Sequence, residues 1–343
     1  MLTHLQPAPS APARVVLLGA RGFLARHLQQ TLAARRIPCR AVGSDELDLT
    51  QSDSAGPLAR LLAAADTVVM TSTLTPEKGR DYPTLMRNLQ MGATVSRALE
   101  LTPCAHVVYL SSDAVYDAHQ IPLDEDSSRE PVDLYALMHT AREMMLASVL
   151  DKTGVPLCVL RPTNIYGPGD THNNYGPNRF VRTALGEGRI VLFGKGEERR
   201  SHIYVRDAVD LILRAVQHRS RGVLNLAMRP AISFHAVADL IIRHCPNPVR
   251  VEYAPRTVHP VHHPYKITQV ARFVYNLGRP ISPVVHRTFA VSAILDAFPD
   301  FKFTPIEEGL TRYLEATRQE SPAHPAAPPD ASAPHGREAE RPA

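Results

Sequence analysis

The feature that most constrains this chain is a repeated exchange between short apolar runs and longer segments of helical spacing. Arg14-Val15-Val16-Leu17-Leu18-Gly19 opens the pattern and runs directly into GFLARHLQQTLAARR. In that second segment apolar residues return roughly every three or four positions, as on one face of a helix. CRAVG, TVVMTS, HVVYLSS and PLCVLRP repeat the apolar theme, and PLARLLAAA, TLMRNLQMGATVSRALE and YALMHTAREMMLASVL repeat the helical one. Strands apolar at successive positions are buried on both faces. Joined by helices, they require right-handed crossovers. The expected fold is α/β, a doubly wound parallel sheet.

The regularity weakens after Pro162, where NIYGPGDTHNNYGPNR collects proline, glycine and asparagine. That is the composition of a loop wall around a ligand. Ordered patterns resume in ISFHAVADLIIRHC and FAVSAILDAF. The expected division is a sheet domain over 13–170, rejoined by 201–230, and a smaller α/β C-terminal substrate lobe over 171–200 and 231–318. Residues 1–12 and 319–343 are rich in proline and alanine and poor in bulky apolar side chains. They are expected to be disordered tails.

Composition narrows function by exclusion. With 343 residues, 44% hydrophobic and 21% charged, the chain is ordinary globular material, long enough for two lobes. A net charge of +4 suits an anionic small ligand, and without a clustered basic face it does not point to nucleic acid. No run approaches the roughly 18 apolar residues of a membrane span. The opening MLTHLQPAPSAPA lacks the plan of a signal peptide, so a cytoplasmic location is expected. Cys39, Cys104, Cys158 and Cys245 are too scattered for a zinc cluster or a disulfide framework and read as buried thiols. His172, His202 and the group His259, His262 and His263 match no standard ligand spacing, so no metal is expected.

The first apolar run meets its helix at Gly19-Ala20-Arg21-Gly22-Phe23-Leu24-Ala25. Small residues in a strand-to-helix turn let the backbone approach a pyrophosphate, which the positive helix end then holds. Placed between a strand and an amphipathic helix, this is a dinucleotide site of the Rossmann kind. Gly19, Arg21, Gly22, Phe23 and Leu24 would lie against the cofactor. An acidic residue normally grips the adenosine ribose at the tip of the second strand. Here that tip reads Gly43-Ser44, with Asp45 and Glu46 beyond it. A tip without a carboxylate leaves room for a 2′-phosphate paired by Arg21 or Arg40, which favours NADP over NAD.

The fourth strand ends in Ser111-Ser112-Asp113-Ala114-Val115-Tyr116, and the helix after it carries Tyr135 and, one turn on, His139. Positions so spaced share a helix face. Together with GARGFLA, RPTNIYGPG, GKGEERRSHIYVRDAV, NLA and TPIEEGL, these motifs carry a resemblance over nearly the whole ordered body. The chain resembles the extended short-chain dehydrogenases/reductases of the nucleotide-sugar epimerase/dehydratase kind.

The resemblance implies NAD(P) as cofactor, with Ser44, Asp48, Leu49, Thr71 and His139 joining the turn residues around it. It implies Tyr135 as the acid/base acting on a sugar hydroxyl, and Ser112 as the group positioning the same oxygen. The family places a lysine four residues after the tyrosine, where it lowers the phenol's pKa and holds the nicotinamide ribose. Here the motif reads Tyr135-Ala136-Leu137-Met138-His139. A histidine protonated near neutrality would supply that charge, with Glu143 one turn further helping to keep it charged. Activity would then depend on pH around neutrality. The alternative is a catalytically degenerate site, in a dinucleotide-binding sensor protein.

Relatives that eliminate water across C4–C6 carry an Asp-Glu pair after the Ser/Thr. Asp113-Ala114 lacks the glutamate, which argues against a 4,6-dehydratase. The expected reaction is hydride transfer at sugar C4, an epimerase first and an NADPH-dependent 4-keto-sugar nucleotide reductase second. The resemblance puts a nucleotide-sugar substrate on Ser112, Asp113, Asn164, Asn178, Arg200 and Arg279, with Asn178, Arg200 and Arg279 at the diphosphate. Asp207 is read as structural, near a helix start. The resemblance further implies a homodimer packed through the helices containing Leu85–Leu99 and Tyr135–Leu150. The Met144-Met145 pair would suit such a surface.

Overall fold

The computed structural model describes residues 2–116, 121–170, 176–255 and 284–320. At its centre is a seven-stranded sheet in the order β1 (Thr3–His4), β11 (Ser220–Leu226), β6 (Leu157–Pro162), β5 (His106–Leu110), β4 (Asp66–Met70), β2 (Arg14–Leu18), β3 (Cys39–Val42). Neighbours are parallel, except that β1 runs antiparallel to β11. The winding reverses at β2, with β3 on one side and β4 on the other. That reversal opens a crevice at the carboxyl ends of the strands.

Strand alternation explains the layering. In β2, Val15 and Leu17 pack to one face and Val16 and Leu18 to the other. The first face is covered by α1 (Phe23–Ala34) through Leu28 and Leu32, and by α6 (Val205–Gln217) through Leu211 and Ile212. The second is covered by α2 (Ala55–Leu61), α3 (Tyr82–Leu101) and α4 (Leu134–Thr153), through Leu58, Val95, Leu99, Leu146 and Leu150. The Asp133 side chain caps α4 by accepting from the Ala136 N–H at 2.8 Å. The cap sets where α4 begins and so where Tyr135 emerges.

A further core lies beyond the sheet. It gathers Phe180 and Val181 of α5 (Pro177–Glu187), Ile190 and Leu192 of β8 (Arg189–Phe193), and Val237 and Ile241 of α7 (Phe234–His244). Leu310, Tyr313 and Leu314 of a C-terminal helix (Ile306–Glu320) complete it. Around it, β7 (Asn164–Tyr166) pairs with β10 (His202–Tyr204), β8 with β13 (Arg250–Ala254), and β9 (Arg199–Arg200) with β12 (Ile232–Ser233).

The N-terminal residues depart from the expected tail. Thr3 and His4 pair with Arg221 and Ser220. The His4 ring meets Ser220 Oγ through Nδ1 and the Ala297 carbonyl through Nε2, each at 2.8 Å. An open sheet edge orders this short polar segment, and local composition says nothing of that edge. Ile294, on the short helix Ser292–Ala297, joins Phe298 and Phe301 in the α1/α6 face of the sheet, not the core beyond it. Residues 321–343 lie outside the described residues. Cys104 and Cys158 are buried as expected, whereas Cys245 is half-buried and Cys39, opening the edge strand β3, is exposed.

Candidate active site

The crevice is built around a glycine that no other residue can replace. Gly19 has φ +98°, and a Cβ there would lie 2.8 Å from the Ser72 nitrogen and 2.9 Å from Thr71 Oγ1. Thr71 holds this approach by donating from N and Oγ1 to the Leu18 carbonyl, at 2.9 and 2.8 Å. Gly22 begins α1 with no side-chain cap, and the first turn carries no acidic residue. The exposed N–H groups and dipole of such a helix end favour an anion. Phe23 is buried against the core that lies beyond the sheet, with Leu24 partly buried beside it.

Beyond β3, the Arg21 guanidinium donates to Ser44 Oγ at 2.6 Å, and both residues are accessible at the crevice edge. Arg40 is engaged by Glu46, and the Arg21 guanidinium also lies 3.8 Å from the exposed Asp45 carboxylate. Asp48 accepts from the Thr50 N–H and Oγ1 at 2.9 and 2.8 Å, and these bonds hold its carboxyl below the usual range. Leu49 gives its side chain to the sheet core. Its contribution to a ligand is therefore limited to backbone.

At the end of β5, Ser112 Oγ accepts from the Ala114 N–H at 3.1 Å. Tyr135 lies half-buried on the first turn of α4. Its pKa is pushed up to about 12, first by burial and then by the Asp113 charge, with the Ser112 hydroxyl opposing. The His139 ring packs edge-on against Tyr135, centroids 4.7 Å apart. The structure thus brings together the three expected catalytic side chains.

The expected charge on His139 is not there. His139 is buried, and its pKa lies well below the ordinary value, first through burial and then through the charge of Arg142. The ring is neutral. Glu143 does not face it, because it accepts from Arg161 at 2.9 and 2.7 Å and from Ser111 at 2.5 Å. The His139 Nδ1 lies 2.7 Å from the Tyr109 hydroxyl, while Nε2 is buried with no hydrogen-bond partner.

Arg142 was not singled out by the sequence, although it shares a helix face with Tyr135 and His139. It is fully buried and donates to the Asn88 carbonyl at 2.8 Å, the Ser72 carbonyl at 2.9 Å and Thr73 Oγ1 at 3.2 Å. Its charge opposes the burial that raises the pKa of the Tyr109 phenol.

Next to Ser112, Asp113 meets another residue that sequence reasoning missed. Arg287 donates to the Asp113 carbonyl at 2.5 Å and the Tyr116 carbonyl at 3.2 Å, with its Nε 3.5 Å from the Asp113 carboxylate. Its backbone bridges to Arg200. Arg200 itself is held by Glu198 at 2.5 Å. The Asn178 side chain is spent locally, accepting from the Gly167 N–H at 3.1 Å and donating to the Ile165 carbonyl at 3.0 Å. Asn164 is half-buried on β7, opposite His202. Asp207 accepts from Thr304 N and Oγ1, each at 2.7 Å, a structural tie. Arg279, His172, His259, His262 and His263 lie outside the described residues.

An uncapped helix start at the reversal of a parallel sheet, approached by a glycine with no room for a side chain, defines a Rossmann-type dinucleotide-binding protein. The chain belongs to the NAD dependent epimerase/dehydratase family, whose model matches residues 15–227. It is an NAD(P)-binding enzyme of that family. The dTDP-4-dehydro-6-deoxy-D-allose reductase of a Streptomyces species is 24% identical over 294 residues, covering 75% of this chain and 88% of the relative. The N-acetyl-alpha-D-glucosaminyl-diphospho-ditrans,octacis-undecaprenol 4-epimerase of Escherichia coli O157:H7 is 24% identical over 301 residues, 82% of this chain and 83% of the relative. The solved structure of MoeE5 in complex with UDP-glucose and NAD is similar with a TM-score of 0.72 at 21% identity, covering 90% of this chain and 99% of that one. Among the described residues no helix is long and apolar enough to cross a membrane, and no group of three or more His, Cys, Asp or Glu side chains is placed to hold a metal ion.

Proposed function

We propose that this enzyme acts by hydride transfer at C4 of a nucleotide-linked sugar, as an epimerase or a 4-keto-sugar nucleotide reductase. The observation that carries the reading is the placement of Tyr135 edge-on against the His139 ring, centroids 4.7 Å apart, beside a crevice whose Gly19 has no room for a Cβ. Gly19, Gly22 and the start of α1 would hold the dinucleotide's diphosphate, Arg21 and Ser44 its adenosine ribose, and His139 its nicotinamide ribose. When bound, the dinucleotide supplies a reversible hydride acceptor and donor.

The protein's own part is the proton. Ser112 holds the sugar oxygen and Tyr135 gives or takes its proton, a role of the general acid–base kind. Burial and the Asp113 charge keep Tyr135 a phenol. A phenol is the form that donates to a developing alkoxide, which favours the reductive direction as a second reading. The Arg21–Ser44 contact at 2.6 Å agrees with that reading, because it offers a 2′-phosphate a cation and a hydroxyl. Ala114 has no carboxylate to take a C5 proton. Arg200, with Arg287 beside it and the start of α5 at Asn178, forms the polar wall suited to a sugar nucleotide's diphosphate.

A homodimer through α3 and α4 fits the same reading. The two helices pack together and leave Tyr82, Met86, Leu137 and Met144 exposed. Apolar residues grouped on an outer face mark association surfaces.

The test is incubation of purified protein with UDP-, GDP-, dTDP- and CDP-sugars, 4-keto sugars included, and each of NAD(H) and NADP(H). Chromatography with mass detection separates epimerisation, which leaves mass unchanged, from reduction, which adds two hydrogens. Turnover that falls by about 10²–10⁴ in Tyr135→Phe is the expected result. Silence across the panel with tight cofactor binding would replace this reading with that of a sensor.

A further inference from the structure

Arg142 on α4 is fully buried, and among the described residues no carboxylate pairs with it. A buried cation without a counter-charge is unfavourable in itself, so its hydrogen bonds have to matter. Space is also made for it. A Cβ on Gly92, in the middle of α3, would lie 2.9 Å from Arg142 Cγ. Glycine inside a helix is less stable than alanine, so α3 gives up stability to admit this side chain.

The guanidinium directs its donors to one place. Nε donates to the Asn88 carbonyl at 2.8 Å and Nη2 to Asn88 Oδ1 at 3.3 Å. Nη1 donates to the Ser72 carbonyl at 2.9 Å and to Thr73 Oγ1 at 3.2 Å. Asn88 in turn holds Leu74 by both backbone groups, accepting from its N–H at 2.9 Å and donating to its carbonyl at 3.0 Å. Three consecutive residues after β4 are therefore fixed from α3 and α4. The first of them is the floor of the glycine turn, because Ser72 N and Cα lie 2.8 and 2.9 Å from where a Gly19 Cβ would be.

We propose that Arg142 is a positioning residue for the dinucleotide, fixing Ser72, Thr73 and Leu74 beneath the Gly19 turn. This rests on the dinucleotide reading of the crevice. Arg142 shares a face of α4 with Tyr135 and His139, so the crevice floor and the helix bearing the acid/base are held as one unit. A guanidinium suits the task because its planar fork reaches acceptors on two segments at once. A lysine ammonium, a single point of charge, does not span them. The Gly19 turn serves the part that NAD(H) and NADP(H) share, whereas Arg21 and Ser44 lie at the end that distinguishes them. Loss of Arg142 therefore weakens both coenzymes alike.

The experiment measures NADH and NADPH affinity by nicotinamide fluorescence, well below Tm, on the full chain and its Arg142→Met, Arg142→Lys and Leu146→Ala variants, with Tm recorded for each. Leu146 lies one turn further along α4, buried in the sheet core, so its truncation reports what lost packing alone does. Arg142→Met should weaken both coenzymes by the same factor, roughly tenfold. Arg142→Lys keeps the charge but not the fork, and a loss of about threefold is expected; it carries the test if the methionine variant does not fold. Leu146→Ala should lower Tm and leave both Kd values within about twofold of wild type. Unchanged affinity in a folded arginine variant would overturn the proposal, as would a loss confined to NADPH. An equal loss in Leu146→Ala would overturn it too, by making the effect one of packing. Wild-type protein that binds neither coenzyme would instead sink the dinucleotide reading, and the role of Arg142 with it.

Discussion

Arg161 on β6 grips Glu143 on α4 through two hydrogen bonds of 2.9 and 2.7 Å, with both side chains buried. The pair ties the helix bearing Tyr135 and His139 to the sheet. Ser111 joins it from the end of β5, so three elements meet at one carboxylate. Glu143→Ala leaves a buried guanidinium without its partner and is expected to cost about 3–5 kcal/mol in urea unfolding. A loss below about 1 kcal/mol would show the pair to be dispensable.

Acid should destabilise the fold well above the carboxylate range. Burial pushes His106 down to about 4 and His202 down to about 3, and His139 is also lowered. Histidines held neutral in the fold take up protons on unfolding below pH ~6.5. Stability is therefore complete above that value and falls as pH drops towards 4. His106 alone contributes on the order of 3 kcal/mol of this loss. Thermal scans between pH 7 and pH 4 measure it, and a flat Tm would contradict the burial of these rings.

Alkali should act with the opposite sign. Burial raises Tyr116 and Tyr135 to about 12 and raises Tyr109 and Tyr166 further. These phenols stabilise the fold fully below their unfolded pKa near ~10. That stability is lost as pH rises from there through the folded values. Phenolate absorbance and circular dichroism should therefore change together, above pH 10. Absorbance rising alone to the level of all eleven tyrosines would refute the buried environment.

Coenzyme choice should rest on Arg21 and not on Arg40. Arg21 contacts Ser44 and lies 3.8 Å from the exposed Asp45 carboxylate, a looser tie than the one Glu46 makes to Arg40. Arg21→Ala is expected to weaken NADP(H) binding roughly tenfold and to leave NAD(H) within about twofold. Arg40→Ala should alter neither. Titration calorimetry decides, and equal losses for both coenzymes would remove the 2′-phosphate role.

The first residues should matter to stability. Removing residues 2–10 takes away β1 and the two hydrogen bonds of the His4 ring. A fall in Tm of roughly 3–6 °C is expected. No change would return this segment to the status of a loose tail.

Much of this architecture is written locally. The apolar runs specify strands buried on both faces, and the helical spacing between them specifies the crossovers. The Gly19 turn, and the Tyr135–His139 pair one turn apart, are visible because backbone sterics and helix periodicity act between near neighbours in the chain. Other features depend on partners that only folding brings together. Thr3 finds its strand 218 residues away, at Arg221, and Arg287 reaches Asp113 across 174 residues. Most telling is His139. Its presence in place of a lysine is plain in the sequence, and its expected charge followed from an ordinary imidazole pKa. The tertiary structure buries the ring, sets Arg142 beside it, gives Glu143 to Arg161 and turns Nδ1 to Tyr109. Protonation is decided by desolvation and by neighbouring charge, and both arise from distant segments packed around the group.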